Sequence, residues 1–142
     1  MDPREAFALE LGRVNRRWRA RLDERLRATG LTQARWVVLL QIARAGEGVT
    51  QRELAERVGI EGPTLVRILD ALERQGLIER CPVQGDRRAK QIRLTEAAQP
   101  VLTEINRIVN DVRREILVDV SRDELAACLE VLRRIGDRLD KP

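Results

Sequence analysis

The segment from Thr50 to Leu94, TQRELAERVGIEGPTLVRILDALERQGLIERCPVQGDRRAKQIRL, constrains the fold of this chain more than any other. Thr50 stands where a helix N-cap belongs, and Glu53, three residues on, can reach back to complete a capping box. Leu54, Ala55 and Val58 give this short helix one apolar side. Gly59 permits the left-handed backbone of a tight inter-helix turn, and the small Ala55 and Gly59 let a second helix cross close by. That helix is expected from Gly62 to about Gln75, with Pro63 in its first turn, where a missing N–H costs nothing. Leu65, Leu69 and Leu72 repeat at helical spacing and face inward. Thr64, Arg67, Ala71 and Arg74 are assigned to the other side, and Gly76 ends the helix. Leu77–Arg80 and Gln91–Leu94 then read as two short strands around a turn punctuated by Pro82 and Gly85. From Arg80 to Arg93, both included, there are five basic residues against the single Asp86. An exposed helix beside so basic a hairpin is the electrostatic footprint of a duplex-DNA reader.

A chain of 142 residues suits one compact domain or one protomer of an intertwined dimer. Aromatic residues make up only 2%, against 35% charged, which argues for helices with solvated faces and against an aromatic-lined catalytic cleft. Only Lys90 and Lys141 of the 27 basic residues are lysine. The arginine excess suits phosphate and base-edge recognition, although GC-rich coding would produce it too. Histidine is absent, which removes histidine metal sites, histidine general bases and catalytic triads. No cofactor is implied. No apolar run is long enough to span a membrane and none opens the chain as a signal peptide, so a cytoplasmic protein is expected. Two cysteines in unlike contexts, Cys81 and Cys128, make no disulfide framework.

The flanking segments read as long helices. Phe7, Leu11, Val14, Trp18 and Leu22 recur at steps of three or four between Pro3 and Ala28. Thr32 is placed as the cap of a helix over Gln33–Ala45 whose Trp36, Val37, Val38, Leu39, Leu40 and Ile42 are apolar almost all round, the mark of a buried helix. After the hairpin, Thr95 is placed as the cap of a helix running to about Val118, with a heptad-like seam of Leu102, Ile105, Val109, Val112 and Ile116. Ser121 and Glu124 form a second capping box, and Leu125, Leu129, Leu132, Ile135 and Leu139 stripe the helix that follows. One small lobe of short helices and a hairpin cannot cover all three terminal stripes; a second copy could.

Three runs in order, LTQARWVVL, VGIEGPTLVRILDALERQGLIER and GDRRAKQIRLTEAA, resemble the MarR family, most closely its SlyA-like branch, and the resemblance extends from about Leu11 to Leu139. It implies a mainly α fold with a small β wing: an N-terminal dimerisation helix over 1–31, a winged helix-turn-helix over 32–94, and C-terminal dimerisation helices over 95–142. It implies a homodimeric, sequence-specific DNA-binding transcriptional regulator, not an enzyme, on a pseudo-palindromic A·T-rich operator. By position in the matching motif, Pro63, Thr64 and Arg67 correspond to base or near-base contacts in the major groove. Arg87 corresponds to the wing arginine that enters the minor groove, where narrow A·T-rich tracts concentrate negative potential. Asp86 is expected to pair with Arg88 and present it to phosphate, with Lys90 adding charge.

The family resemblance also implies a small aromatic or phenolic ligand, such as an aromatic carboxylate, held between the dimer helices and the winged helix. Arg16, Trp18, Thr32, Trp36 and Leu40 map to that region: tryptophan supplies a flat wall and arginine a bidentate grip on a carboxylate. Ala34 and Leu40 depart from the more polar residues of SlyA-like relatives, and both tryptophans would serve equally as plain core. Oxidant-sensing members carry a reactive cysteine in the first helix, and this chain has none there. Cys81 beside Arg80 reads as a small strand residue and Cys128 as packing. The competing reading is a helical protein-interaction module whose winged helix no longer reads DNA. Repression, activation and derepression stay open.

Overall fold

The computed structural model describes residues 1–142, apart from the side chain of Gln33. The chain divides into two compact units, Met1–Val109 and Asn110–Pro142. The first unit begins with α1 (Pro3–Leu26), whose last turn tightens into a 3₁₀ turn over Arg27–Thr29. Thr29 Oγ1 donates to the Leu26 carbonyl at 2.6 Å there, and Gly30 leaves the turn at φ 76°. α2 (Gln33–Ala45) is the buried helix its composition predicts: Val38 and Leu39 are fully covered and Trp36, Leu40 and Ile42 nearly so. Thr32 occupies the N-cap position of α2, but its side chain makes no capping bond, so the cap expected of it is a backbone position only.

The helix-turn-helix is α3 (Gln51–Val58) and α4 (Gly62–Arg74). Both halves of the Thr50–Glu53 capping box are formed, and Gly59 takes the left-handed conformation at φ 66° that carries the chain from one helix to the next. Leu54, Leu65, Leu69 and Leu72 have no exposed surface. Each such burial is worth roughly 1.5–3 kcal/mol. Ala71 is a correction: it is buried, not on the outer side. α4 packs against α2 on one flank and the first wing strand on the other, so its covered arc is wider than a single leucine stripe.

The wing strands are longer than expected. β1 (Ile78–Val83) and β2 (Asp86–Leu94) pair antiparallel from Ile78↔Leu94 up to Pro82↔Lys90, then slip, so that Val83 faces Asp86. Arg87, Arg88 and Ala89 are the extra residues of that bulge. Pro82 is tolerated because each strand of a two-stranded ribbon is an edge. A further backbone bond, Ile92 N–H to the Val49 carbonyl at 2.9 Å, and a bridge between Thr50 and Gln91 tie the outer edge of β2 to the start of α3.

α5 (Ala98–Ile116) starts three residues after Thr95 and stops short of Val118. Thr95 does not cap it. Its hydroxyl donates instead to the Gly76 carbonyl at 2.6 Å, and its N–H donates to the Leu77 carbonyl at 3.0 Å, so the residue is used to close the wing onto the end of α4. Leu102, Ile105, Ile108 and Val109 form the buried face of α5 within the first unit. In the second unit the Ser121–Glu124 capping box opens α6 (Arg122–Leu139). The backbone N–H of Ser121 lowers the Glu124 carboxyl below its ordinary range. No residue of α6 is buried: Leu129 is 46% exposed, Leu132 41% and Leu139 78%. The N-terminal half of α1 is likewise bare, with Phe7, Leu11 and Val14 each close to half exposed.

Candidate nucleic-acid interface

Burial of the leucine side of α4 leaves its opposite side free by default. Gly62, Pro63, Thr64 and Arg67 are all exposed at its N-terminal end, and Arg74 continues that face two turns further on. Glu61 stands at the N-cap without a side-chain bond, so its carboxylate does not cap the first-turn N–H groups. Asp86, Arg87, Arg88 and Lys90 are exposed on the wing. The turn is compact: Gly85 takes φ 87°, and Asp86 Oδ1 accepts the Arg88 backbone N–H at 3.0 Å. The Asp86–Arg88 pairing is therefore carboxylate to backbone. Among the described residues the Arg88 guanidinium joins no ion pair, and its charge is left to the outside.

Arg80 behaves differently from the other wing cations. Its guanidinium turns back onto α4, donating to Asp70 Oδ1 and, at 3.1 Å, to Glu73 Oε1, while its backbone N–H reaches Glu73 Oε2 at 3.2 Å. Its charge is spent between two carboxylates and does not add to the basic field of the wing. The Arg80 hydrogen bond holds the Glu73 carboxyl below the ordinary carboxylate range, and Glu73 in turn raises the Arg80 guanidinium. This root clamp fixes the wing against α4. Its signal was two acids at i and i+3 on the helix, followed by an arginine in the next strand.

Clefts lined by described residues of the first unit include two near the wing. One, of about 720 Å³, opens between the start of α3, the start of α4 and the wing. The other, of about 460 Å³, lies between the end of α2, β2 and Gln99. None of Arg16, Trp18, Thr32, Trp36 and Leu40 lines either. Arg16 and Thr32 are exposed, Trp18 is half-buried, and Trp36 and Leu40 are buried. The Trp36 indole N–H is enclosed and, among the described residues, has no hydrogen-bond partner, which is uncommon for a buried donor. Cys81 is half-buried at the wing root and Cys128 is exposed on α6; both are free thiols. Among the described residues no cluster of histidine, cysteine or acids could hold a metal ion, and no helix is long and apolar enough to cross a membrane.

A helix-turn-helix with a two-stranded basic wing, set between long helices, defines a winged-helix protein of the DNA-reading type. Residues 29–89 match the family model of the MarR family. The crystal structure of transcriptional regulator PA3341 is 48% identical over 96% of this chain and 99% of its own, with a TM-score of 0.89. A cysteine-to-serine mutant of MarR from E. coli, solved in complex with operator DNA, is 26% identical over 92% of this chain and 93% of its own, with a TM-score of 0.82. An organohalide-sensing regulator in its 2,4-dichlorophenol-bound form shares the fold at 18% identity and a TM-score of 0.83, over 97% of this chain and 82% of its own. The chain belongs to the MarR family of winged-helix transcriptional regulators.

Proposed function

We propose that this chain, within the family's SlyA-like branch, works as a homodimer that reads a pseudo-palindromic, A·T-rich operator. The observation that carries the reading is the exposure, on one rigid lobe, of the N-terminal end of α4 and of a wing tip whose only acid is bonded to its own turn. In this reading Pro63, Thr64 and Arg67 meet base edges in the major groove, and Arg87 enters the adjacent minor groove. Arg88 and Lys90 grip phosphate, and Asp86 shapes the turn. Residues 32–94 form the reading head. The terminal segments 1–31 and 95–142 join two protomers through the bare apolar faces of α1 and α6, which leaves the two recognition helices about 34–36 Å apart on one side of the duplex. The operator-bound relative supports the DNA reading by family likeness.

A small aromatic or phenolic ligand then adjusts the spacing of the heads, with Arg16, Trp18, Thr32, Trp36 and Leu40 as its candidate contacts. The buried, unpartnered Trp36 N–H is the feature that favours an acceptor-bearing guest there. Such a ligand shifts DNA binding only by its differential affinity for the two spacings.

The test is selection of bound fragments from sheared source-genome DNA at moderate salt, with wild type and Arg87→Ala in parallel. Wild type is expected to enrich a few pseudo-palindromes that the variant loses. No enrichment by either protein, in the presence or absence of phenolic carboxylates, would favour the protein-interaction module over the DNA reader.

A further inference from the structure

The cleft of about 720 Å³ between α3, α4 and the wing contains one cation, Arg52, that the exposed helix and wing tip do not account for. Arg52 of α3, Arg88 and Lys90 line it against one acid, Asp86, which is already engaged by the Arg88 backbone N–H. Arg52 is exposed and, among the described residues, joins no ion pair; Glu53 beside it is occupied in the capping box with Thr50. Gly62 forms part of the wall, where a Cβ would meet nothing within 4 Å, and its φ is not left-handed. Neither packing nor backbone conformation therefore requires glycine there, and its missing side chain leaves room for close approach of an outside group. The first-turn N–H groups of α4 have no side-chain cap and add a partial positive charge to the same side. The cleft keeps its shape because β2 is bonded to Val49 and bridged to Thr50, two residues before Arg52.

We infer that this cleft is the channel for one DNA strand, and that Arg52 is a phosphate-binding residue of the reading head. The inference rests on the DNA reading above and adds to it a topological constraint. Adjacent major and minor grooves are separated by a single sugar–phosphate strand. A head with α4 in one groove and Arg87 in the next must straddle that strand, and the space between α4 and the wing is this cleft. Arg52 closes it from the α3 side, opposite Arg88 and Lys90. Its contact is to phosphate, so it contributes affinity and register but no base preference.

The experiment compares wild type, R52Q and R52K on a random-sequence duplex pool, titrated over a range of salt concentrations and sequenced after selection. A lost phosphate contact lowers the slope of log affinity against log salt by about 0.9 per subunit and weakens binding on the order of tenfold per subunit at low salt. R52Q is expected to show both effects and to select the same motif as wild type, while R52K keeps the wild-type slope. Because Arg52 is exposed and joins no ion pair, R52Q should melt with wild type, which separates a binding loss from a folding loss. If wild type selects a motif and R52Q matches it in slope and affinity, the channel assignment falls and the DNA reading stands. A shifted motif in R52Q also overturns it, since Arg52 would then touch bases. If wild type selects nothing, the DNA reading falls and takes the channel with it.

Discussion

Replacing Arg80 by methionine should detach the wing root from the recognition helix. Methionine keeps most of the side chain's apolar stem and removes the guanidinium, leaving Asp70 and Glu73 as unpaired like charges one turn apart on α4. A fully buried pair broken in this way costs about 3–5 kcal/mol, and an exposed pair about 0–1 kcal/mol. Arg80 is 20% exposed and its partners 41% and 42%, so water reaches both carboxylates and takes over part of the lost bonding. The expected cost is about 1–2 kcal/mol, read as a drop of about 0.5–1 M in the urea midpoint at fixed protein concentration. The same clamp has a pH signature. Glu73 is lowered in the folded protein by its Arg80 hydrogen bond, so its contribution is complete above the unfolded carboxylate range and is lost as pH falls through the lower folded value. Wild type and R80M should therefore converge in acid and differ most near neutrality. DNA affinity should fall in R80M without a change in salt slope, because this arginine faces carboxylates and not phosphate. An unmoved midpoint at neutral pH would refute the clamp. So would an equal loss when R80M is made in a D70N/E73Q background, where the clamp is already gone.

Three further outcomes are expected. Thr50→Ala removes one arm of the α3 capping box and should cost about 1 kcal/mol by urea titration, with Ser121→Ala behaving alike on α6. Gly59→Ala forces a side chain into the left-handed turn at φ 66°, at about 1–2 kcal/mol, although there is open space around it; a neutral result by calorimetry would mean the turn readjusts freely. Leu129→Glu with Leu132→Glu places charge on the bare face of α6 and should shift the sedimentation coefficient from dimer to monomer, with DNA binding lost; a dimer that survives the pair would assign this face elsewhere.

The parts of the fold legible in the chain are those dictated by local chemistry. Both capping boxes, the left-handed Gly59, the leucine side of α4 and the all-apolar α2 depend on neighbours within one or two turns, and such signals survive in any context. The departures at Ala71, Thr95 and Arg80 share one cause, which is long-range partnering. Ala71 is small enough to read as surface, and only the flanking β1 and α2 bury it. Thr95 has the residue type of a cap, but Gly76, 19 positions back in sequence, offers a better acceptor for its hydroxyl. Charge counting placed Arg80 among the wing cations because it could not know that α4 presents two carboxylates to it. The strands ran past their apolar residues because the tip turn is stabilised by Asp86 and Gly85, not by hydrophobic alternation. At the candidate interface, the exposure of the wing tip and of the α4 N-terminus was legible from residue type and spacing. The Arg52 side of the cleft was not, since nothing local distinguishes it from an ordinary arginine on a wet helix.

The latch at Thr95 has a mechanical consequence. Its hydroxyl and its N–H seize two successive carbonyls, Gly76 and Leu77, at the exit of the recognition helix, and α5 begins three residues later. No slack connector lies between α5 and α4. A torque applied to the first turns of α5 is transmitted directly to the end of α4, and through the Arg80 clamp to the wing. The start of α5, the end of α4 and the wing are thus tied in series, α5 to α4 by the two Thr95 bonds and α4 to the wing by the Arg80 ion pairs.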